Sequence, residues 1–232
     1  RDNVYIGEQV FGQAATERPS LMFDTGDLIH DGTAEEYLNL HIPLLEKVAP
    51  RPVVCIPGNH DRGKYRNYAA YDALYGGERF SFDYGGCRFV GFNASETVRV
   101  SCSDLRFLER ELSKPGVTYK FVFFHIPPEY FEKEIVISGS RGFEWHADRL
   151  RKLLTDQKVT EVFMGHIHGY ASKVIDGVRY TLTAGGGAPL SEQLTAEGRL
   201  YHYVVVHVRP DGLTREVVYL RDGKWERKEV TP

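Results

Sequence analysis

Four short apolar runs, each leading directly into a cluster of aspartate, asparagine and histidine, constrain this chain more than any other feature. They are Leu21-Met22-Phe23 before Asp24-Thr25-Gly26-Asp27, Pro52-Val53-Val54-Cys55-Ile56 before Pro57-Gly58-Asn59-His60-Asp61, Phe121-Val122-Phe123-Phe124 before His125-Ile126-Pro127-Pro128, and Glu161-Val162-Phe163-Met164 before Gly165-His166-Ile167-His168. Runs this short and this rich in Val, Ile and Phe read as buried strands. In an α/β sheet the carboxyl ends of the strands lie along one edge, and the loops there form the usual ligand crevice. Alone, each cluster has a plain reading: Gly26-Asp27 and Gly58-Asn59-His60-Asp61 as turns, His125 as a satisfied histidine at a strand end. Gly165-His166-Ile167-His168 is sharper, because alternate residues of an extended segment point the same way. Four such clusters converging on one edge are what a metal-assisted hydrolase needs. Oxygen and imidazole donors without thiolate suit Mn, Fe, Zn, Ni or Co.

The rest of the chain alternates between amphipathic and apolar stretches. Residues 4–15 and 34–48 read as helices, the second with Tyr37, Leu38, Leu44, Leu45 and Val48 toward the core and Pro43 kinking or splitting it. A short helix follows over 67–75, then two strands over 79–84 and 87–92 joined by Gly85-Gly86 as a hairpin. Helices are expected over 103–113, with Ser103 as N-cap, and over 144–156. From Ser172 onward the pattern is strands and turns, with Asp176-Gly177, Asp211-Gly212 and Asp222-Gly223 as turn dipeptides. No repeat, low-complexity tract or linker divides the chain, so residues 1–232 read as one α/β domain. Alternating units followed by hairpins imply two facing mixed sheets with helices outside, a four-layer α/β/β/α sandwich.

Charge and composition narrow the function classes. The formal net charge is -3, which offers no general pull toward nucleic acid or anionic lipid. No stretch approaches the roughly 18 consecutive apolar residues of a membrane span. Cys55, Cys87 and Cys102 lack C-x-x-C spacing, so neither a structural zinc site nor a disulfide framework is expected, and the first two read as buried thiols. The opening Arg1-Asp2-Asn3-Val4 is neither a signal peptide nor a natural initiator and gives no compartment.

Taken in order, Gly26-Asp27, Gly58-Asn59-His60-Asp61, His125 and Gly165-His166-Ile167-His168 resemble the signature of the calcineurin-like metallophosphoesterases. Thr183-Ala184-Gly185-Gly186-Gly187-Ala188-Pro189 resembles a loop of the bacterial, purple-acid-phosphatase-like branch. The resemblance implies hydrolysis of phosphate monoesters or diesters at a pair of metal ions that acidify a bridging water and polarise the phosphoryl oxygens. It implies that Asp27 bridges the ions, that Asn59, His125 and His166 complete the second site, and that His168 binds the first. It makes His60 the residue that contacts the phosphoryl group and assists the leaving group. Asp61 would then fix the His60 tautomer by accepting its other N–H. Substrates would be small phosphoesters or phosphoproteins.

Two departures from the family pattern matter. Family members open with a strand ending in Asp-x-His, both residues binding the first metal; here Arg1-Asp2-Asn3 looks like the tail of an Asp-x-Arg variant. The expectation is a fragment with one complete and one partial metal site. His30 stands where purple acid phosphatases place a metal-binding tyrosine, and it either replaces that ligand or lies just behind the ligands. Among the other histidines, His202 follows the Gly-rich segment and is a candidate for lining the site. His41 and His146 read as solvated, and His207 as structural. Arg141 and Tyr130, in the loop 129–143 after His125, are candidates for shaping substrate access. Two rival readings are a nuclease, against which the acidic balance argues, and a non-catalytic metal-binding scaffold, as the retromer subunit of this fold is. An oriented histidine beside the metals argues against the scaffold.

Overall fold

The structure, a computed structural model, describes residues 2–65, 67–95, 100–139 and 142–231. Asn3 starts helix α1 (Val4–Thr16) by accepting the Ile6 amide through its side chain. The chain then enters β1 (Met22–Asp24), α2 (Ala34–Glu36), a π-helical turn at Tyr37–His41, and α3 (Ile42–Val48). Pro43 has no N–H to continue a regular ladder, and the widened π turn just before it absorbs the defect. Tyr37, Leu44 and Val48 face inward as expected, whereas Leu38 is exposed on the turn. β2 (Val53–Cys55) and α4 (Ala69–Tyr75) follow.

β3 (Arg79–Tyr84) and β4 (Cys87–Phe92) form the hairpin, with Gly85 and Gly86 both at positive φ. Helix α5 (Cys102–Leu112) is capped by Ser101 and not by Ser103. The reason lies three residues on: Asp104 reaches back to the Ser101 amide and closes a capping box, a reciprocal pair that Arg106 could not make for Ser103. Then come β5 (Tyr119–Phe123), α6 (Glu129–Ile135), α7 (Ala147–Asp156) and β6 (Glu161–Met164). The stretch expected as loop after His125 thus contains a helix. β7 (Tyr170–Ile175), β8 (Val178–Thr183), a 3-10 turn at Ala196–Gly198, β9 (Tyr201–Arg209), β10 (Gly212–Arg221) and β11 (Lys224–Glu229) complete the fold.

The larger sheet runs β3-β4-β5-β6-β8-β7, with β4, β5, β6 and β8 parallel and the two outermost strands antiparallel. The facing layer is not one sheet. It is a parallel pair, β1-β2, and an antiparallel trio, β9-β10-β11. Side-chain alternation in β5 divides the core. Phe121 and Phe123 point between the layers, onto Phe23, Phe163, Val204 and Val206. Val122 and, just beyond the strand, Phe124 point outward into the cluster under α5, α6 and α7. Helices α1 and α3 cover the opposite layer, so the α/β/β/α order holds.

The seam between layers is mostly aromatic. Phe123 stacks on Phe23 at 4.2 Å and on Phe163 at 5.3 Å between ring centroids. A buried polar tie also crosses it: Arg215 of β10 donates to Glu161 of β6 at 2.5 Å, and Thr181 donates to the same carboxylate at 2.6 Å. Replacing Phe123 by Ala removes the ring that both neighbours stack on, and should cost about 3–5 kcal/mol in urea unfolding. A loss below about 1 kcal/mol would mean the seam does not hold the layers together.

Candidate metal centre

The four strands β1, β2, β5 and β6 deliver their clusters to one edge, two from each layer. The local backbone is unusual there. Gly26, Asp27 and His166 all sit at positive φ, at 93°, 58° and 73°, which for Asp and His costs conformational energy and is found where surroundings over-determine it. Two glycines let the loops close. A Cβ on Gly58 would lie 2.2 Å from Asp27 Oδ1, and one on Gly165 would lie 2.8 Å from His125 Nδ1.

Asp27, His125 and His166 each offer a ligand atom, and these atoms lie within 4.8 Å of one another. His125 is buried, and its Nδ1–H donates to the Thr25 carbonyl at 2.7 Å. A carbonyl can only accept, so in the neutral ring the lone pair falls on Nε2. That atom is buried without a hydrogen-bond partner and lies 3.3 Å from Asp27 Oδ1. Lone pair facing carboxylate is repulsive unless a proton or a metal ion sits between them, and the donor set fits a metal ion.

Burial alone would raise the Asp27 pKa, but positive charge at His125, with the hydrogen bond of a protonated ring and that of the His60 amide, outweighs it and holds the carboxyl well below the usual range. Asp27 in turn raises the His125 pKa against its burial, so the pair calls for a positive charge between them, proton or metal ion. His166 is pushed down to about 3, by burial first and by His125 next, which leaves its ring neutral and able to ligate. Asn59 Oδ1 lies 2.9 Å from His166 Nδ1. His168 Nδ1–H donates to the Pro189 carbonyl at 2.8 Å, assigning its lone pair to Nε2.

His60 is anchored twice. Its amide donates to Asp27 Oδ1 at 2.9 Å, and its ring Nδ1–H donates to the His30 carbonyl at 3.0 Å. Asp61 does not hold that ring, contrary to the expectation from the sequence. Its buried carboxylate accepts the amides of Asp27 at 2.8 Å, Leu28 at 3.2 Å and Gly58 at 2.7 Å, and the Tyr37 hydroxyl at 2.8 Å. The loop amides are closer and more numerous than one ring N–H, so Asp61 ties the Asp27 loop to the Gly58 loop while the His60 ring turns outward. Burial pushes its pKa up to about 6, with the loop hydrogen bonds opposing and the Asp27 charge adding.

Residues 6–170 match the family profile described as calcineurin-like phosphoesterase. The chain belongs to that family. It is 30% identical over 162 residues to a probable glycerophosphodiester phosphodiesterase, GpdQ, of Arcobacter nitrofigilis, a match covering 65% of this chain and 57% of that protein. Among solved structures it is similar to purple acid phosphatase PPD1 from yellow lupin, with a TM-score of 0.73 at 17% identity over 96% of this chain and 48% of that one. It is also similar to GAP50, described as the anchor in the inner membrane complex of Plasmodium, with a TM-score of 0.70 at 16% identity over 99% and 84%. At such identities the structural likeness shows the fold. The chain spans 57% of the curated relative it matches.

The cleft beside the cluster has a volume of about 210 Å³ and is lined by Asp27, Asn59, His60, His166 and His168. Glu132, Ser191 and Gln193 form its far wall, and none of the three carried a signal in the sequence. They lie outside the motifs, on α6 and in the loop after the Gly-rich segment. Tyr130 does not join them; its hydroxyl donates to that of Tyr180 at 3.0 Å and its ring lies under Arg151. Arg141 lies outside the described residues. The His30 ring stands beside that of His60, 5.1 Å between centroids, with Nδ1 3.1 Å from Asp2 Oδ1, and outside the three-residue cluster. His41 is buried and not solvated, because the π turn points it inward onto the Tyr75 hydroxyl at 2.5 Å. His146 is half-buried at the start of α7, with Nδ1 2.8 Å from the Val100 carbonyl. His207 faces Glu216 at 3.2 Å. Among the described residues no helix is long and apolar enough to cross a membrane.

His202 lies beneath the Gly-rich loop and outside the cleft, with Nδ1–H donating to Leu200 at 2.9 Å and its ring edge-on to Tyr170. Burial pushes its pKa down to about 4. Because the folded value is below the unfolded one, the unfolded chain takes up the extra proton first as pH falls. Stability present above about pH 6.5 is therefore lost toward pH 4, by on the order of 3 kcal/mol in full. Urea unfolding of wild type and His202→Gln at pH 7 and pH 4.5 should show a smaller loss in the variant. Equal losses would show that His202 is not held neutral.

Proposed function

We propose that this chain carries a phosphoesterase centre that hydrolyses phosphate monoesters or diesters, with Asp27, Asn59, His125, His166 and His168 holding a pair of divalent or trivalent ions. The observation that carries the reading is the buried His125 Nε2, unpartnered and 3.3 Å from the Asp27 carboxylate. When bound, such ions supply Lewis-acid polarisation of phosphoryl oxygens and a water acidic enough to serve as nucleophile near neutral pH.

The chain's own residues do the rest. Asp27 stays ionised despite its burial because positive charge at His125, a ring proton or a bound ion, and the His60 amide stabilise its carboxylate. Asp61 holds the loops of Asp27 and Gly58 at fixed separation, so the donors are positioned before any ligand arrives. With Nδ1–H committed to the His30 carbonyl, a protonated His60 presents Nε2–H to the cleft. There it can hydrogen-bond a phosphoryl oxygen and pass a proton to the departing alkoxide. The named activity of GpdQ supports a diester reading, and that of the lupin enzyme supports phosphate-ester hydrolysis more broadly. A fold shared with a protein described as an anchor does not by itself imply catalysis. The doubly anchored His60 is what favours an enzyme over a scaffold.

Paired aryl phosphate monoester and diester substrates, with added Mn²⁺, test this directly. Turnover should vanish with a chelator and return with metal, and His60→Ala should lower kcat by roughly 100- to 10,000-fold with metal content unchanged. Turnover equal in wild type and His60→Ala would remove His60 from the chemistry.

A further inference from the structure

Asp24 and His41 stand outside the metal cluster, yet both reach it through a single peptide bond. The Thr25 carbonyl, which accepts His125 Nδ1–H at 2.7 Å, and the Gly26 N–H belong to one planar unit. Asp24 Oδ1 accepts that N–H at 3.2 Å, so the plane cannot turn over without losing this bond. Little else opposes such a turn on the glycine side. Gly26 has no Cβ and already sits at a φ of 93°, and glycine takes either sign of φ with similar ease. A turned plane would present an N–H where His125 now meets a carbonyl. Nδ1 would then have to accept, and the ring proton would move to Nε2, the atom that faces Asp27. A protonated nitrogen has no lone pair for a metal ion.

His41 is what steadies Asp24. The π turn points its ring inward, where Nε2 is buried without a hydrogen-bond partner, 3.6 Å from Asp24 Oδ2, and Nδ1 lies 2.5 Å from the Tyr75 hydroxyl. The contrast with His125 places the proton. A carbonyl can only accept, and it fixes the His125 proton on Nδ1. A hydroxyl can also donate, so Tyr75 allows the His41 proton to sit on Nε2, toward a carboxylate that only accepts. The opposite tautomer would set a bare lone pair against that carboxylate. At 3.6 Å the contact is longer than a full hydrogen bond, so the attraction is that of an N–H dipole for a charge in a setting of low dielectric. We propose that His41 is a positioning residue of the metal centre. With its proton on Nε2 it orients Asp24, Asp24 locks the Thr25–Gly26 peptide, and the locked carbonyl keeps His125 Nε2 bare for a metal ion. The proposal rests on the reading of Asp27 and His125 as metal ligands.

Long-range ¹H–¹⁵N NMR spectra of the metal-free protein read both tautomers. His41 should carry a proton on Nε2 and His125 on Nδ1; a His41 ring protonated on Nδ1 alone would overturn the proposal without any variant. Asp24→Ala should give His125 a mixture of tautomers and weaken Mn²⁺ binding by about 10- to 100-fold in titration calorimetry. His41→Gln, whose amide reaches the place of Nε2, should bind Mn²⁺ nearly as wild type does. His41→Asn, whose amide stops at the place of Nδ1, should weaken binding as Asp24→Ala does. Equal affinities in the two His41 variants, or an unchanged His125 tautomer in Asp24→Ala, would overturn the proposal. Wild-type protein that binds no Mn²⁺ would count against the metal reading itself, and the His125 tautomer in Asp24→Ala would still decide the role of Asp24 and His41.

Discussion

A buried imidazole nitrogen bearing a lone pair cannot rest against an ionised carboxylate unless something positive lies between them. In this protein that contact is between His125 Nε2 and Asp27 Oδ1, at 3.3 Å. The Thr25 carbonyl enforces it by taking the only proton that neutral His125 has to give. Much of the surrounding architecture serves to hold these two groups together. Asp27 is kept in a left-handed conformation by Asp61, and Gly58 and Gly165 remove the atoms that would push the loops apart. Two sheet layers meet at this point, and their aromatic seam sets the distance at which the clusters face one another.

That dependence explains why Asp61 sits where it does. A carboxylate buried completely and receiving three amides and a hydroxyl is a clamp for two loops. The clamp allows His60 to be oriented by a backbone carbonyl, which needs no titratable partner. The histidine of the proposed acid step is thereby separated from the carboxylate that maintains the frame.

Much of this was legible in the sequence because strand ends in α/β sheets share an edge. Four apolar runs followed at once by Asp, Asn or His could be placed together without knowing the fold in detail. The hairpin at Gly85-Gly86 and the strand-rich final third were legible for similar reasons, since positive φ and alternation leave marks in composition. Interactions that depend on direction were not legible. Adjacency in sequence pairs Asp61 with the His60 ring, but neighbouring residues in a tight loop need not point the same way. Helical periodicity puts His41 in solvent because it ignores a π turn, which rotates the following residues inward. Glu132, Ser191 and Gln193 reach the cleft only through tertiary packing, and no local pattern marks them. Ser103 lost the cap to Ser101 because the box depends on the residue three positions later.

Whether the Asp27–His125 contact is a metal site decides the chemistry open to this protein. Crystals of the chain grown with Mn²⁺ and measured across its absorption edge would decide this. An anomalous peak within bonding distance of Asp27, His125 and His166 is the expected result. No peak there, with a proton shared between His125 Nε2 and the Asp27 carboxylate, would contradict it.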